Sequence, residues 1–491
     1  MSRQLVHLLG WTAVAAVALL IFAEPAVVDL DLWGSMAMGR ETVSHGWPPT
    51  RDSFAYVPTK NPVVYHEWLS GVLFYLLLDG LASWALKALM IALGLGALGF
   101  AALAAHRLGG SPIALLVLLL IALLSMQRGY SPIRAQAFTF FFFACFIYLL
   151  EAATRGDRRP LLMIPPLTAV WANLHGGFVA GIGLLCLYLL SEVLLGRKPW
   201  RLLAAAGGAI LGTLLNPYGV DYWAYLREAL LMPRTQIPEW GALPWDLTSA
   251  WPFKALLLLS GLTLTIAPKR YWPGILVMGV TAFLGVRHVR HIPFFAIAAV
   301  AFLPSHLSPV LERLGASSRP RVAVRPVFVT VLVSLLLFWL ILASLLQLTR
   351  FTDWELKVPA DYYPVGAVEF LRLNGLRGNL ATPYNWGEYV LWKLSPRVKV
   401  SFDGRYETVY PPHVSADNFN FMYGNGDWRR LLRAYPTEMV LVDNRYPMAP
   451  LMAGEPGWTR VYEDGISVLY LPTGKSQGPW RLPPTSQGTI P

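Results

Sequence analysis

The sequence predicts a mostly α-helical membrane protein with about 11–13 transmembrane helices and a small α/β domain outside the membrane. Of its 491 residues, 55% are hydrophobic and only 14% are charged, and the mean hydropathy is +0.46. Apolar runs long enough to span a bilayer also recur along the chain. Because soluble domains carry about 25% charged residues, this composition excludes a chain built only of soluble domains.

The N-terminus has the basic start and apolar core of a signal peptide, and Ala-Glu-Pro-Ala follows it. We interpret residues 5–27 as an uncleaved first span, because many spans follow and a removable signal would be redundant. Cleavage is the alternative. Further candidate spans lie near residues 82–105, 112–126, 136–152, 161–173, 177–196, 202–215, 252–267, 272–286, 291–304 and 327–349.

The formal charge of +11 would suggest nucleic acid in a soluble protein, so the positions of the basic residues decide its meaning. They cluster in short loops between apolar runs, as the positive-inside rule expects of cytoplasmic loops. The clusters are Arg155/Arg158/Arg159, Arg197/Lys198/Arg201, Lys269/Arg270 and Arg313/Arg319/Arg321/Arg325. We therefore expect no nucleic-acid binding, a cytoplasmic N-terminus, and an extracytoplasmic location for everything after Arg350.

One segment does not fit a regular alternation of spans. Residues 66–78 are apolar but short for a crossing, and counting them as a lone span would break the parity. We expect an interfacial or re-entrant segment. A true crossing, with another boundary misplaced, is the alternative.

We expect three domains: a transmembrane domain over 1–350 with a large first outer loop at 28–65, an extracytoplasmic α/β domain over 351–473, and a disordered tail over 474–491. The α/β assignment rests on short β-type runs that alternate with helical stretches. The β-type runs are 398–402, 439–442 and 467–471, and the helical stretches are 365–373 and 428–435.

Two carboxylates, Asp29 and Asp31, open the first outer loop at the membrane edge. There a carboxylate has low-dielectric surroundings on one side and water on the other, which suits a catalytic base. The structural alternative is that Asp31 is the N-cap of a helix. Further along the loop, His66, Glu67 and Trp68 come consecutively where the chain meets the membrane. Glu67 is a third candidate base and His66 a substrate-binding residue, unless Glu67 only satisfies a helix dipole.

Polar residues also interrupt the outer ends of three spans. Ionisable groups at membrane depth are costly and tend to bind ligands, and arginines suit phosphate through bidentate hydrogen bonds. An anionic lipid head group fits them, whereas snorkelling or a tight helix junction is the structural alternative. The candidate substrate-binding residues here are Arg134, Asn173, His175, Arg287, Arg290 and His291, with Arg128 as a weaker one.

In the C-terminal region the most distinctive stretches are 385–389 (Asn-Trp-Gly-Glu-Tyr) and 402–406 (Phe-Asp-Gly-Arg-Tyr). Asp403-Gly404 indicates first a turn after a strand, and a substrate-binding role for Asp403 or Arg405 is the alternative. There is no Walker loop, paired-Cys zinc motif or Gly-x-Ser-x-Gly elbow in the sequence. No cofactor is indicated, and the possibility of a divalent metal stays open.

These features resemble the GT-C superfamily of membrane glycosyltransferases, which includes protein O-mannosyltransferases and aminoarabinose transferases. The resemblance rests on Asp29-Leu30-Asp31 in a large first outer loop, many spans, the outer arginines and the terminal domain. The series Asp-x-Asp-Leu-Trp, His-Glu-Trp-Leu, Trp-Ala-Asn-x-His-Gly-Gly and Asp-Gly-Arg is similar to a bacterial subgroup of GT-C-like proteins, over most of the chain.

The resemblance implies transfer of a sugar from a polyprenyl-phosphate carrier to an envelope glycan, lipid or protein acceptor, outside a bacterial inner membrane. It implies a first-loop aspartate, here Asp29 or Asp31, as base, and cations that hold the departing phosphate. Arg134, Arg287 and Arg290 are candidates for that second task. The rival hypothesis is a transporter or flippase of a lipid-linked or anionic substrate, although such folds usually contain internal repeats and none is evident here.

Overall fold

The computed structural model describes residues 14, 18, 28–130, 132–154, 156–157, 159–232, 238–267, 270–317, 356–484 and 488–489. The expected spans at 5–27 and 327–349 lie outside the described residues, apart from residues 14 and 18. The basic residues Arg155, Arg158, Lys269, Arg319, Arg321 and Arg325 also lie outside them, as do the side chains of Arg128 and Arg313.

The chain forms two compact units. The first comprises the described residues of Met1–Ala26, Lys87–Asn216 and Met232–Trp354, and the second comprises Val27–Leu86, Pro217–Leu231 and the described residues of Glu355–Pro491. The second unit therefore combines the first outer loop with the C-terminal region.

The described residues of the first unit are mainly helical. Most of these helices begin and end within a few residues of the predicted apolar runs. They are α3 (Trp84–Arg107, apart from its first turn), α4 (Pro112–Tyr130), α5 (Gln136–Thr154), α6 (Ile164–Leu174), α7 (Phe178–Leu194), α8 (Trp200–Gly212), α10 (Trp251–Ile266), α11 (Trp272–Arg287) and α12 (Ile292–Ser317). Proline at the first turn of α6, α10 and α11 fits the position where a missing N–H costs nothing.

Among the described residues, four segments are long and apolar enough to cross a membrane by length and composition: Trp84–Arg107, Gln136–Thr154, Thr248–Ile266 and Val289–Val310. These segments differ in the share of their residues that is buried. The most apolar window of Val289–Val310 is 83% buried and that of Gln136–Thr154 72% buried, against 33% for Thr248–Ile266. Helices α5 and α12 thus form the centre of the first unit. The expected number of spans and their orientation stay predictions.

The second unit begins with α1 (Leu30–His45), which lies in the first outer loop, and α2 (Trp68–Leu81), which follows that loop. Their backbones approach closely at two glycines. A Cβ on Gly39 would lie 2.0 Å from the carbonyl oxygen of Gly71, and a Cβ on Gly71 would lie 2.4 Å from the carbonyl oxygen of Ser35. Only glycine fits at this crossing, because real Cβ atoms do not come so close to backbone. Whether α2 lies in a membrane interface stays a prediction.

A five-stranded sheet of order β3-β2-β4-β6-β5 forms the centre of the C-terminal part of this unit. Strands β3, β2 and β4 run parallel, whereas β6 is antiparallel to β4 and β5. A bridge from Ala55 to Val400 places the first outer loop beside β3, at the edge of the sheet. The strands are β1 (Lys357–Val358), β2 (Gly378–Ala381), β3 (Val398–Val400), β4 (Met439–Asp443), β5 (Trp458–Glu463), β6 (Ser467–Pro472) and β7 (Gly488–Thr489).

Helices cover this sheet, and β1 pairs with β7 apart from it. The helices of the unit after α2 are α9 (Asp221–Leu231), α13 (Val365–Leu373), α14 (Tyr384–Leu394), α15 (Tyr406–Val409), α16 (Pro412–Tyr423), α17 (Arg430–Ala434) and α18 (Met448–Ala453). The expected helix at 365–373 and the three expected β-type runs are present. A mostly helical chain with a small sheet and several apolar helices is therefore confirmed.

Candidate active-site carboxylates and a cationic cavity

The two aspartates at the start of the first outer loop have different positions. Asp29 is the N-cap of α1, and its Oδ1 accepts a hydrogen bond of 3.1 Å from the backbone N–H of Asp31. Asp31 lies in the first helical turn and is exposed. The structural alternative in which Asp31 is the N-cap is thus wrong: Asp29 is the residue whose backbone is still extended where the helix begins, so it takes that role.

A buried carboxyl group, that of Glu388 on α14, lies against this helix start. Its Oε2 accepts a hydrogen bond of 3.0 Å from the backbone N–H of Gly34. The group fills a socket between two glycines, since a Cβ on Gly34 would lie 2.5 Å from its Cδ and one on Gly404 would lie 2.7 Å from its Oε1. Burial, and then the charges of Asp31 and Asp403, raise the pKa of Glu388 well above its usual value. Glu388 therefore holds its proton beside Asp31.

Next to this socket, Arg405 joins two buried aspartates. Its Nη2 donates to Asp403 Oδ2 and its Nη1 to Asp52 Oδ1, both at 2.7 Å. The arginine side chain is 8% exposed and both carboxylates are 0% exposed. Tyr65 donates to Asp52 and Tyr410 donates to Asp403, at 2.8 and 2.7 Å. The network ties the first outer loop to the turn after β3.

The charges in this network stabilise one another. Burial alone would raise the pKa of the Asp52 carboxyl, but the charge of Arg405 and hydrogen bonds from Ala55 and Tyr65 lower it below its usual range. For Arg405, burial acts to lower the pKa, and the charges of Asp403 and Asp52 outweigh it and raise the pKa. Asp403 also accepts from the backbone N–H of Arg405, which is the turn expected after the strand. We assign Asp403 and Arg405 a positioning role, because both are buried inside the network.

His66 and Glu67 form a pair in the same unit. The Nε2 of His66 lies 3.2 Å from Glu67 Oε1, and its Nδ1 lies 3.0 Å from the hydroxyl of Tyr225 on α9. The imidazole also stacks on the Tyr225 ring. The side chains of His66 and Glu67 are each 26% exposed, so solvent can reach this pair.

A row of aromatic rings begins at Tyr384, which lies within electrostatic reach of Asp31. Tyr384, at the start of α14, packs edge-on against Phe419 at 5.9 Å, and Tyr423 stacks on Phe419 at 6.4 Å. Tyr446 closes the row at 5.8 Å from Tyr423. All four are partly exposed. Burial, the neighbouring tyrosines and the charge of Asp31 raise the pKa of Tyr384 to about 12, so its hydroxyl stays protonated and able to donate.

The first unit contains a cavity of about 610 Å³ where α4, α5 and α10 meet the 3₁₀ turns 238–240 and 289–291. Most of its walls are apolar. They include Leu124, Pro244, Leu247, Phe253 and Ile292. Among the described residues that line it, three are charged: Arg134, Arg290 and Glu239.

Arg134 and Arg290 both contact Glu239. The Nη1 of Arg134 lies 3.0 Å from each carboxylate oxygen, and the Nη1 of Arg290 lies 3.5 Å from Oε1. The Arg290 guanidinium also covers the ring of Trp240, 4.4 Å from its centroid. The structure thus brings together two of the arginines that the sequence indicated for an anionic head group.

The other residues of that expected group lie differently. Arg287, at the end of α11, is exposed and does not line the cavity. His291 packs edge-on against Trp240 and is not among the residues that line the cavity. Arg290, between them in sequence, is the charged residue of this segment that lines the cavity.

Asn173 and His175 take part in the junction between α6 and α7. Asn173 donates to the carbonyl oxygens of Ala169 and Leu215, both at 2.8 Å. The Nδ1 of His175 accepts from the backbone N–H of Gly177 and lies 2.8 Å from Thr139 Oγ1. These contacts hold the junction together, and a substrate-binding role for either residue stays a prediction. Among the described residues, no three His, Cys, Asp or Glu side chains are arranged to hold a metal ion.

Three acidic residues of these sites were not predicted from sequence: Glu388, Asp52 as an ion-pair partner, and Glu239. A signal existed only for Glu388, which lies in the distinctive 385–389 stretch beside Gly387. Nothing local identifies the partners of Asp52 or Glu239, because those partners are distant in sequence.

Similar folds occur among solved structures. The structure of ArnT from Cupriavidus metallidurans bound to undecaprenyl phosphate matches with a TM-score of 0.53 at 14% identity, over 97% of this chain and 100% of that one. The arabinofuranosyltransferase AftD from Mycobacteria matches with a TM-score of 0.54 at 15% identity, over 97% of this chain. This chain spans 40% of the length of AftD. No protein-family model and no curated relative matches the sequence. The chain therefore has the fold of GT-C-type membrane glycosyltransferases, as its motifs indicated.

Proposed function

We propose that the protein is a glycosyltransferase that moves a sugar from a polyprenyl-phosphate carrier to an envelope acceptor on the outer side of a bacterial inner membrane. The observation that carries the proposal is the cavity with apolar walls and two converging arginines, in a chain with the fold of ArnT, which was solved with undecaprenyl phosphate. The acceptor is an envelope glycan, lipid or protein.

Arg134 and Arg290 are proposed to bind the carrier phosphate. Guanidinium groups suit phosphate because they present paired donors and stay charged, and the apolar walls suit the isoprenoid chain. The same cations favour departure of the carrier, since they stabilise the negative charge that its phosphate gains as the bond to the sugar breaks.

Asp31 is proposed to be the base. The acceptor oxygen forms the new bond to the anomeric carbon, its proton passes to the Asp31 carboxylate, and the bond from that carbon to the phosphate oxygen breaks with its electron pair leaving on the phosphate. Glu388 supports this role. Because burial and the neighbouring carboxylates raise the pKa of Glu388, its carboxyl group keeps its proton and does not compete with Asp31 as a base.

Asp29→Asn and Asp31→Asn form a matched pair of variants that tests which aspartate is the base. Asparagine has nearly the same size as aspartate but lacks the carboxylate that accepts a proton. Asn caps helices as well as Asp does, so Asp29→Asn should keep transfer close to wild type. Asp31→Asn should lose about a hundredfold or more, the usual contribution of a general base. The assay is sugar transfer in proteoliposomes, with carrier binding measured in parallel by native mass spectrometry.

Full activity of Asp31→Asn would remove Asp31 as base. Glu67→Gln then tests the second carboxylate, which pairs with His66, whose other ring nitrogen contacts Tyr225. If all three variants transfer sugar normally, the carboxylates are structural. Movement of the lipid across the membrane without any transfer would instead support the transporter hypothesis.

The phosphate assignment has its own control in Arg287, which is exposed and does not line the cavity. Replacing Arg134 and Arg290 by Gln should weaken binding of polyprenyl phosphate at least tenfold, about 1.4 kcal/mol or more. Arg287→Gln should leave it unchanged. Equal effects of the single Arg287→Gln and Arg290→Gln variants would point to general surface charge rather than the cavity.

A further inference from the structure

The cationic cavity contains its own anion. Both arginines contact Glu239. The Glu239 side chain is 34% exposed, compared with 23% for Arg134 and 20% for Arg290. Both oxygens of the carboxylate lie at 3.0 Å from a single nitrogen of Arg134. The described lining residues therefore carry two positive charges and one negative charge, a net charge of +1.

Glu239 is held there by more than charge. It belongs to the short turn 238–240, whose Trp240 lies under the Arg290 guanidinium, and the carbonyl oxygen of Trp240 lies 2.7 Å from His288 Nδ1. Arg290 is further fixed by Gln136, 3.4 Å away. The carboxylate is thus a built-in part of the cavity.

Lipid phosphates come in two charge states. A phosphodiester, such as a carrier with its sugar attached, has one negative charge. A phosphomonoester, such as the carrier after transfer, has close to two at neutral pH and above because its second pKa is about 6. Desolvation of an ion grows with the square of its charge, whereas attraction to a fixed +1 site grows only in proportion. Among the described lining residues, the carboxylate of Glu239 therefore favours a single phosphate charge over two.

We infer that Glu239 makes this cavity selective for a singly charged phosphodiester over a doubly charged phosphomonoester. The inference rests on the proposed function and adds the residue that separates substrate from product. The Glu239 carboxylate occupies guanidinium donors of Arg134 and Arg290. It also repels a second negative charge on a bound phosphate. The carrier that remains after transfer consequently binds more weakly than the sugar-bearing carrier, which favours its release.

The test uses farnesyl phosphate and its methyl diester as probes for the full-length protein in detergent at pH 8, with affinities from native mass spectrometry. We expect the wild-type protein to prefer the diester about tenfold, an effect within the range of one charge–charge contact at a partly exposed site. Glu239→Gln should abolish that preference by strengthening monoester binding. Glu239→Asp, which keeps the charge, should retain it.

Glu192→Gln is the matched control, because Glu192 also pairs with an arginine of the first unit, Arg197, at 3.1 Å but does not line the cavity. It should leave the diester preference unchanged. Failure of the wild-type protein to bind either probe would overturn the proposed function. Binding of both without a diester preference, or a preference that survives Glu239→Gln, would overturn only the inference about Glu239.

Discussion

Removing Arg405 should destabilise the second unit far more than removing any exposed arginine, although the distances in the ion pairs are the same. Arg405→Met keeps a long apolar stem but leaves Asp52 and Asp403 buried without their cation. Breaking a buried pair from one side costs about 3–5 kcal/mol, because the remaining charge has lost its water as well as its partner. Here two carboxylates with 0% exposure lose the same partner.

Arg433→Met is the matched control. Arg433 donates to both oxygens of Asp427 at 2.7 and 2.6 Å, so its geometry is as good as that of Arg405. However, the two side chains are 65% and 59% exposed, and such a pair contributes about 0–1 kcal/mol. Burial, rather than distance, decides the difference.

Hydrogen exchange of the full-length protein, followed by mass spectrometry on peptides from 398–423, measures the opening of this region. At tenfold per 1.4 kcal/mol, Arg405→Met should exchange roughly two to three and a half powers of ten faster than the wild-type protein. The control should exchange less than about fivefold faster. Equal exchange in the two variants would refute the view that the network stabilises this unit.

Three further predictions follow from other residues. The pKa of Glu388 is raised in the folded protein, so its contribution to stability is complete below its usual pKa of about 4.5 and is lost as the pH rises towards its folded pKa. Glu388→Gln should therefore raise the unfolding temperature at pH 8 and leave it unchanged at pH 4. A variant that is less stable than the wild-type protein at pH 8 would contradict this. Gly39→Ala should cost about 1–3 kcal/mol by overpacking the α1–α2 crossing, whereas Gly80→Ala, with open space around it, should be neutral or stabilising by up to about 1 kcal/mol, as thermal unfolding would report. A reporter enzyme fused after Trp354 should be active only outside the cytoplasm, and cytoplasmic activity would reverse the expected orientation.

Much of the helical architecture is predictable because each span carries its own signal. The run predicted at 136–152 is Gln136–Thr154 in the structure, and the run at 272–286 is Trp272–Arg287. The apolar run determines where the helix lies, and a proline in the first turn, as at Pro273, fits its start.

What sequence reasoning missed depends on contacts between distant residues. Helix α14 was seen only as a distinctive stretch, since its buried Glu388 interrupts the apolar pattern that marks a helix. The partner of Asp52 lies 353 residues away. Glu239 follows no apolar run at all, and only the folded cavity shows that it is shared by two arginines.

The network of Asp52, Asp403 and Arg405 also imposes an order on biosynthesis. Since 353 residues separate Asp52 from Arg405 and ribosomes add about 5–20 residues per second, the loop waits roughly 20–70 s for its partner to be made. Throughout that interval the loop emerges without the strand edge and the guanidinium that complete it. A chain halted before residue 405 is therefore expected to display the first outer loop as an open segment, accessible to proteases and chaperones of the compartment that receives it.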